Sequence, residues 1–75
     1  MPITAAHIVK DFERVLGRDC AADDNFFDVG GDSLLAEALV IDVSKWAGFE
    51  VKISALLDYP TPQELAEYIE ARRQS

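Results

Sequence analysis

Gly30-Gly31-Asp32-Ser33-Leu34-Leu35-Ala36-Glu37-Ala38-Leu39-Val40-Ile41-Asp42-Val43-Ser44-Lys45-Trp46-Ala47-Gly48 is the stretch that decides the fold. Two glycines open it and one closes it, with neither glycine nor proline between them. The pattern predicts a helix from about Asp32 or Ser33 to Ala47, and Gly48 can accept the left-handed turn that ends one. At about 100° per residue, Leu35, Leu39, Val43 and Trp46 cluster on one side, which is expected to face the core. Leu34 and Ile41 fall on the opposite side, with Ala38 and Lys45 close by. Aliphatic side chains there form either an exposed contact strip or a face covered by a short third helix, and the helical wheel leaves both readings open.

Upstream, Ile8, Val9, Phe12, Val15 and Leu16 recur at helical spacing after Thr4, a capping residue type, and Gly17 follows as a stop. Downstream, Thr61-Pro62-Gln63-Glu64 sets a capping threonine, a proline at the first helical position and a glutamate three residues after the cap. Leu65, Tyr68 and Ile69 then form a buried stripe, Glu64, Glu67 and Glu70 face water, and Arg72 and Arg73 complement the negative helix end. A short helical turn is expected around Ser54 to Leu57, stopped by Pro60. Between Gly17 and Ser33 lies a long acidic connection. Loops beyond about 12–15 residues in compact domains are usually functional or disordered. Phe26-Phe27 argues against disorder, because at least one of the pair can pin the loop to the helices.

Seventy-five residues give one domain with a single small core. Fourteen acids against seven bases leave a net charge of −7. Such a surface repels phosphate backbones and anionic headgroups, so nucleic acid and membranes are poor partners and basic protein faces are better ones. Cys20 is the one cysteine, which removes an internal disulfide framework. Without a signal peptide pattern or an apolar run near the ~18 residues needed to span a bilayer, the expectation is a soluble, monomeric, cytoplasmic domain.

Ser33 is the residue that asks for a chemical explanation. At a helix start, unpaired amides and the positive dipole end favour an oxygen-linked phosphate on its hydroxyl. Gly30 and Gly31 would let another protein's active site approach the backbone. A plain cap at Asp32 or Ser33 with a plain glycine turn explains the same local pattern. Gly31-Asp32-Ser33-Leu34 also resembles the nucleophile block of a hydrolase family named for those four residues. That family's chemistry needs a held general base and an enclosed pocket, and the one histidine, His7, sits in the first helix as an expected surface residue. One histidine and one cysteine are too few for a zinc set. A calcium loop begun at Asp23 would put Phe27 at a ligand position and Asp28 where the sharp-turn glycine belongs, so Asp19, Asp23, Asp24, Asp28 and Asp32 read as a solvated acidic loop. Cys20 lies among those acids, which disfavour its thiolate. No active site is expected in the chain.

Asp24-Asn25-Phe26-Phe27-Asp28-Val29-Gly30-Gly31-Asp32-Ser33-Leu34-Leu35-Ala36 resembles the signature of phosphopantetheine-binding carrier domains, and is most similar to the peptidyl carriers of nonribosomal peptide synthetases. Tyr59-Pro60-Thr61-Pro62 with Glu64-Leu65-Ala66 resembles their closing segment. The resemblance covers essentially the whole chain, residues 1–75, as a single carrier domain. It implies an all-α bundle of three longer helices and one short helix. It also implies that a phosphopantetheinyl transferase attaches 4′-phosphopantetheine from coenzyme A to Ser33, with Gly31, Asp32 and Leu34 as flanking recognition residues. The arm's thiol would carry an aminoacyl, peptidyl or acyl group as a thioester, presented first to an adenylating or acyl-loading enzyme and then to condensing, modifying and releasing enzymes. Leu34, Ala38, Ile41 and Lys45 would touch those partners. The protein itself would be non-catalytic, because the prosthetic group supplies the reactive thiol.

Two departures from the family pattern stand out. Many peptidyl carriers have histidine before the serine, whereas Asp32 resembles acyl and aryl carriers and the peptidyl carriers that precede epimerisation domains. Ala47 stands where the family often has a larger apolar residue, and Trp46 is expected to fill that volume from the neighbouring position. The start at Met1 without a flanking linker reads as a stand-alone carrier, although an excised domain would look the same. A serine esterase and an acidic docking bundle are the alternatives outside the family.

Overall fold

The computed structural model describes residues 4–74; Met1, on which the stand-alone reading rests, lies outside them. Four helices follow in order: α1 (Ala5–Leu16), α2 (Ser33–Ala47), the short α3 (Ile53–Asp58) and α4 (Pro62–Gln74). Each begins or ends where local chemistry dictates. Gly48 closes α2 at φ 88° and ψ 2°, a left-handed conformation that a side chain would strain. At α4, the Thr61 hydroxyl accepts from the Glu64 amide at 3.1 Å and donates to the Glu64 carboxylate at 2.9 Å. The expected capping box therefore closes through the threonine hydroxyl on both sides. Thr4 occupies the N-cap of α1, but its side chain makes no capping bond; its carbonyl accepts from the His7 amide at 3.1 Å.

α1 packs against α4 and α2, and α3 packs against α2. Ile8 and Phe12 of α1, Leu39 and Val43 of α2, Leu56 of α3, and Leu65 and Ile69 of α4 meet in the core with no exposed surface. The loop from 17 to 32 belongs to that core through Phe26, which is fully buried, while Phe27 is half-buried. The Phe26 ring stands edge-on to Phe12 at 5.2 Å and to Phe27 at 5.3 Å. Its amide donates to the Pro60 carbonyl at 2.8 Å, and the Gln63 amide donates to the Ala22 carbonyl at 3.0 Å. The start of α4 thus holds the loop from behind.

The buried face of α2 differs from the helical-wheel expectation. Ala36, Val40 and Ala47 are buried with Leu39 and Val43, whereas Leu35 is half-buried and Trp46 is 36% exposed. The core face is turned by about 60° towards the small residues. The α2–α3 connection covers that side, where the Ser44 hydroxyl accepts from the Val51 amide at 2.8 Å. Trp46 does not fill the volume beside Ala47. It lies over α1 instead, its Nε1 donating to Asp11 Oδ2 at 2.9 Å. Asp11 is a buried carboxylate, 6% exposed, and also accepts from Arg14, whose guanidinium reaches on to Asp42 of α2 at 3.2 Å. An indole with a polar handle suits such a boundary position.

Asp11→Ala would remove the acceptor and leave the α1–α2 seam without its polar tie. The expected loss is about 1–3 kcal/mol in urea unfolding, accompanied by a red shift in the emission of the lone tryptophan.

Candidate functional site

Ser33 is the first residue of α2 and its side chain is exposed. The cap is Asp32, whose carboxylate accepts from the Leu35 amide at 2.9 Å and whose carbonyl accepts from Ala36 at 2.8 Å. The amides of Ser33 and Leu34 therefore stand at the electropositive start of a 15-residue helix, next to the serine hydroxyl. Asp32 takes the cap, which leaves the Ser33 hydroxyl exposed and without a capping role. The cap also gives Asp32 a structural role that does not depend on the class of cargo.

The two glycines before it act differently. Gly30 has φ 110° and open space around it, so the requirement there is conformational. Gly31 has no such backbone demand. A Cβ built on it would overlap the Phe26 ring and the Phe26 carbonyl oxygen, which also accepts from the Gly31 amide at 2.9 Å. Sequence reading assigned Gly31 to outward access and did not foresee this inward contact.

Leu34 is 79% exposed and Ile41 51%, while Ala38 and Lys45 are exposed beside them. The α2–α3 connection meets α2 at Ser44, through Val51, and leaves this strip exposed, which resolves the alternative that the helical wheel left open. Leu57 of α3, 60% exposed, is an outward leucine that the sequence reading missed. A six-residue helix shows too little periodicity to reveal it. A groove of about 710 Å³ runs between α2 and the start of α3, lined by Val40, Ile41, Ser44, Val51 and Ile53 among others.

Structure separates Ser33 from the one histidine. His7 is exposed in the first turn of α1, its ring 6.0 Å from that of Trp46. Trp46 lies thirteen residues along α2 from Ser33, about 20 Å of helix. The two side chains an esterase would need are at opposite ends of α2. No group of acidic, histidine or cysteine side chains suited to hold a metal ion occurs among the described residues. Two loop side chains make local turns: Asp24 Oδ2 accepts from the Ala21 amide at 2.8 Å, and the Asn25 amide oxygen Oδ1 accepts from the Phe27 amide at 2.9 Å. No helix among the described residues is long and apolar enough to cross a membrane.

A family model, the phosphopantetheine attachment site, matches residues 6–69. The chain belongs to that family, as a carrier domain of the nonribosomal peptide synthetase type. It is 39% identical over 70 residues to cyclosporin synthetase of Tolypocladium inflatum, covering 93% of this chain, and 38% identical over 65 residues to tyrocidine synthase 3 of Brevibacillus parabrevis, covering 85%. The matched stretch amounts to 1% or less of the length of either of these curated relatives. Among solved structures, a chain in the complex of the phosphopantetheine transferase Sfp with coenzyme A and a peptidyl carrier protein superposes with a TM-score of 0.86 at 33% identity. That match covers 92% of this chain and 91% of the other. The expected bundle of three longer helices and one short helix is the observed one, and the group that the family carries is 4′-phosphopantetheine.

Cys20 supplies the loop's thiol. Burial pushes its pKa up, and the Asp24 and Glu13 carboxylates push it further, against a smaller opposite pull from Arg18. Less thiolate is present at a given pH than in the unfolded chain. Alkylation of Cys20 by iodoacetamide at pH 8 is therefore expected to be slower in the folded protein than in urea, and faster in Asp24→Asn than in the wild type.

Proposed function

We propose that Ser33 is the attachment residue and that residues 1–75 form a single carrier domain for aminoacyl or peptidyl groups. One observation carries this reading: an exposed serine hydroxyl on the first residue of α2, inside the span that matches the family. These residues fit the group. A phosphodiester needs an accessible oxygen, favourable electrostatics and no enclosing pocket, and the capped start of α2 supplies all three. When bound, the group contributes a thiol on a flexible arm, able to hold cargo as a thioester.

This chain's residues then have two tasks. The first is to present Ser33 to a transferase with bound coenzyme A. The serine oxygen forms a bond to the phosphorus that bears the pantetheine arm, the bond from that phosphorus to the bridging diphosphate oxygen breaks, adenosine bisphosphate leaves, and the hydroxyl proton passes to a base on the transferase. The second is to offer a surface that loading, condensing, modifying and releasing enzymes can hold and release. Leu34, Ala38 and Ile41 provide apolar contact, and Lys45 a charge at the strip's edge. The net charge of −7 steers encounters with basic partner faces. A tether raises effective concentration, so each contact can be weak and brief. Catalysis resides in the partners, and a single cysteine, which allows no internal disulfide, suits a monomeric domain in a reducing compartment such as the cytoplasm. The peptidyl reading is preferred to an acyl or aryl one because Asp32, the feature shared with those carriers, serves as the cap.

Incubation with coenzyme A and a promiscuous transferase should add the mass of one phosphopantetheine, mapped to Ser33, and Ser33→Ala should gain none. A folded wild type that stays unmodified with several transferases overturns the reading. Ile41→Asp should slow loading by a cognate adenylating enzyme while shifting stability by less than about 0.5 kcal/mol, as expected at an exposed position. A large fall in Tm would mean that Ile41 supports the core instead.

A further inference from the structure

The geometry points to Phe26 as a positioning residue for Ser33, acting through Gly31. The inference rests on the reading of Ser33 as the attachment site. Phe26 is fixed on three sides by separate segments. Its ring meets Phe12 of α1 edge-on at 5.2 Å, its amide donates to Pro60 at the corner before α4, and its carbonyl accepts from Gly31 at 2.9 Å. No part of it is exposed, so it has no freedom to move without the core.

Gly31 is seated directly on that fixed residue. The space that its Cβ would take is filled by the Phe26 ring and carbonyl oxygen. Only Asp32 separates Gly31 from Ser33, and Asp32 is extended, at φ −136° and ψ −174°. A segment in that conformation has no slack, so its ends stay about 6–7 Å apart. A displacement at Gly31 therefore arrives at Ser33 nearly whole, and it also pulls the Asp32 carboxylate away from the Leu35 amide that it caps. The hydroxyl is placed from the hydrophobic core outward, by an aromatic ring that no partner enzyme touches.

Chemistry makes that placement matter. In-line attack on phosphorus tolerates little error in the angle and distance of the attacking oxygen, and an error near 1 Å can cost on the order of a hundredfold. Restoring ordinary van der Waals distance around a Cβ at Gly31 needs a shift of roughly that size. The exposed side chains of α2 beyond its first turn would be unchanged, so the loss belongs in turnover more than in encounter.

The test is steady-state priming of the full chain by a transferase with coenzyme A, read by intact mass, at a temperature where circular dichroism shows every variant folded. Gly31→Ala should lose about tenfold or more in kcat, with KM within about twofold of wild type. Phe26→Leu should show a smaller loss of the same kind. Ile69→Val, which trims the core elsewhere, should lower Tm yet prime at the wild-type rate. A folded Gly31→Ala that primes with wild-type kcat overturns the inference, as does an Ile69→Val variant slowed as much as Gly31→Ala. If Gly31→Ala does not fold, wild-type kcat in Phe26→Leu overturns it. Failure of the underlying reading looks different: the wild type itself would gain no mass, or would gain it away from Ser33.

Discussion

The contact between Phe26 and the backbone of Gly31 is the constraint on which the rest of this small structure depends. A sixteen-residue loop joins α1 to α2. Without an anchor its conformational entropy would let the start of α2 wander. Phe26 removes that freedom by entering the core, and the backbone bonds to Pro60 and Gly31 hold its two sides. The loop is long yet behaves as part of the bundle. It leads directly into Ser33, the first residue of α2, so the anchored loop fixes where that residue stands.

A division of labour follows from that anchor. The inner faces of the helices supply stability, and the outer face of α2 carries almost none of it. Leu34 and Ile41 stand in solvent while Leu39 and Val43, on the same helix, are sealed. A carrier needs this separation, because a surface that must bind several enzymes in turn can vary only if the fold does not lean on it. Trp46 marks the boundary between the two regimes. Its ring covers α1 at the edge of the core, and its N–H reaches the buried Asp11 carboxylate, which Arg14 and Asp42 tie back to α2. A large aromatic residue at that point closes the seam without belonging to the interior.

Electrostatics act on two scales. Close to the serine, Asp32 accepts from Leu35 and completes the helix start, and the first-turn amides there carry the positive end of the helix dipole. Over the whole surface the net charge of −7 favours the approach of basic faces over acidic ones. Burial, with the Asp24 and Glu13 carboxylates behind it, raises the pKa of the Cys20 thiol.

Much of this was determined by the sequence alone. The bounds of α2 between Asp32 and Gly48, the stop at Gly17, the Thr61–Glu64 cap and the place of Ser33 at a helix start all follow from local rules, because caps, stops and periodicity are written within a few residues of where they act; that the Leu34–Ile41 face is left uncovered does not. Tertiary structure alone decided the others. Which phenylalanine of the pair would be buried, how far the core face of α2 would turn towards Ala36, Val40 and Ala47, where Trp46 would lie, and why Gly31 has no room for a side chain were settled by elements far apart in the chain. Each of those outcomes depends on volume shared between segments. A helical wheel ranks residues by size and hydrophobicity, but only the packed neighbours determine which space is already filled.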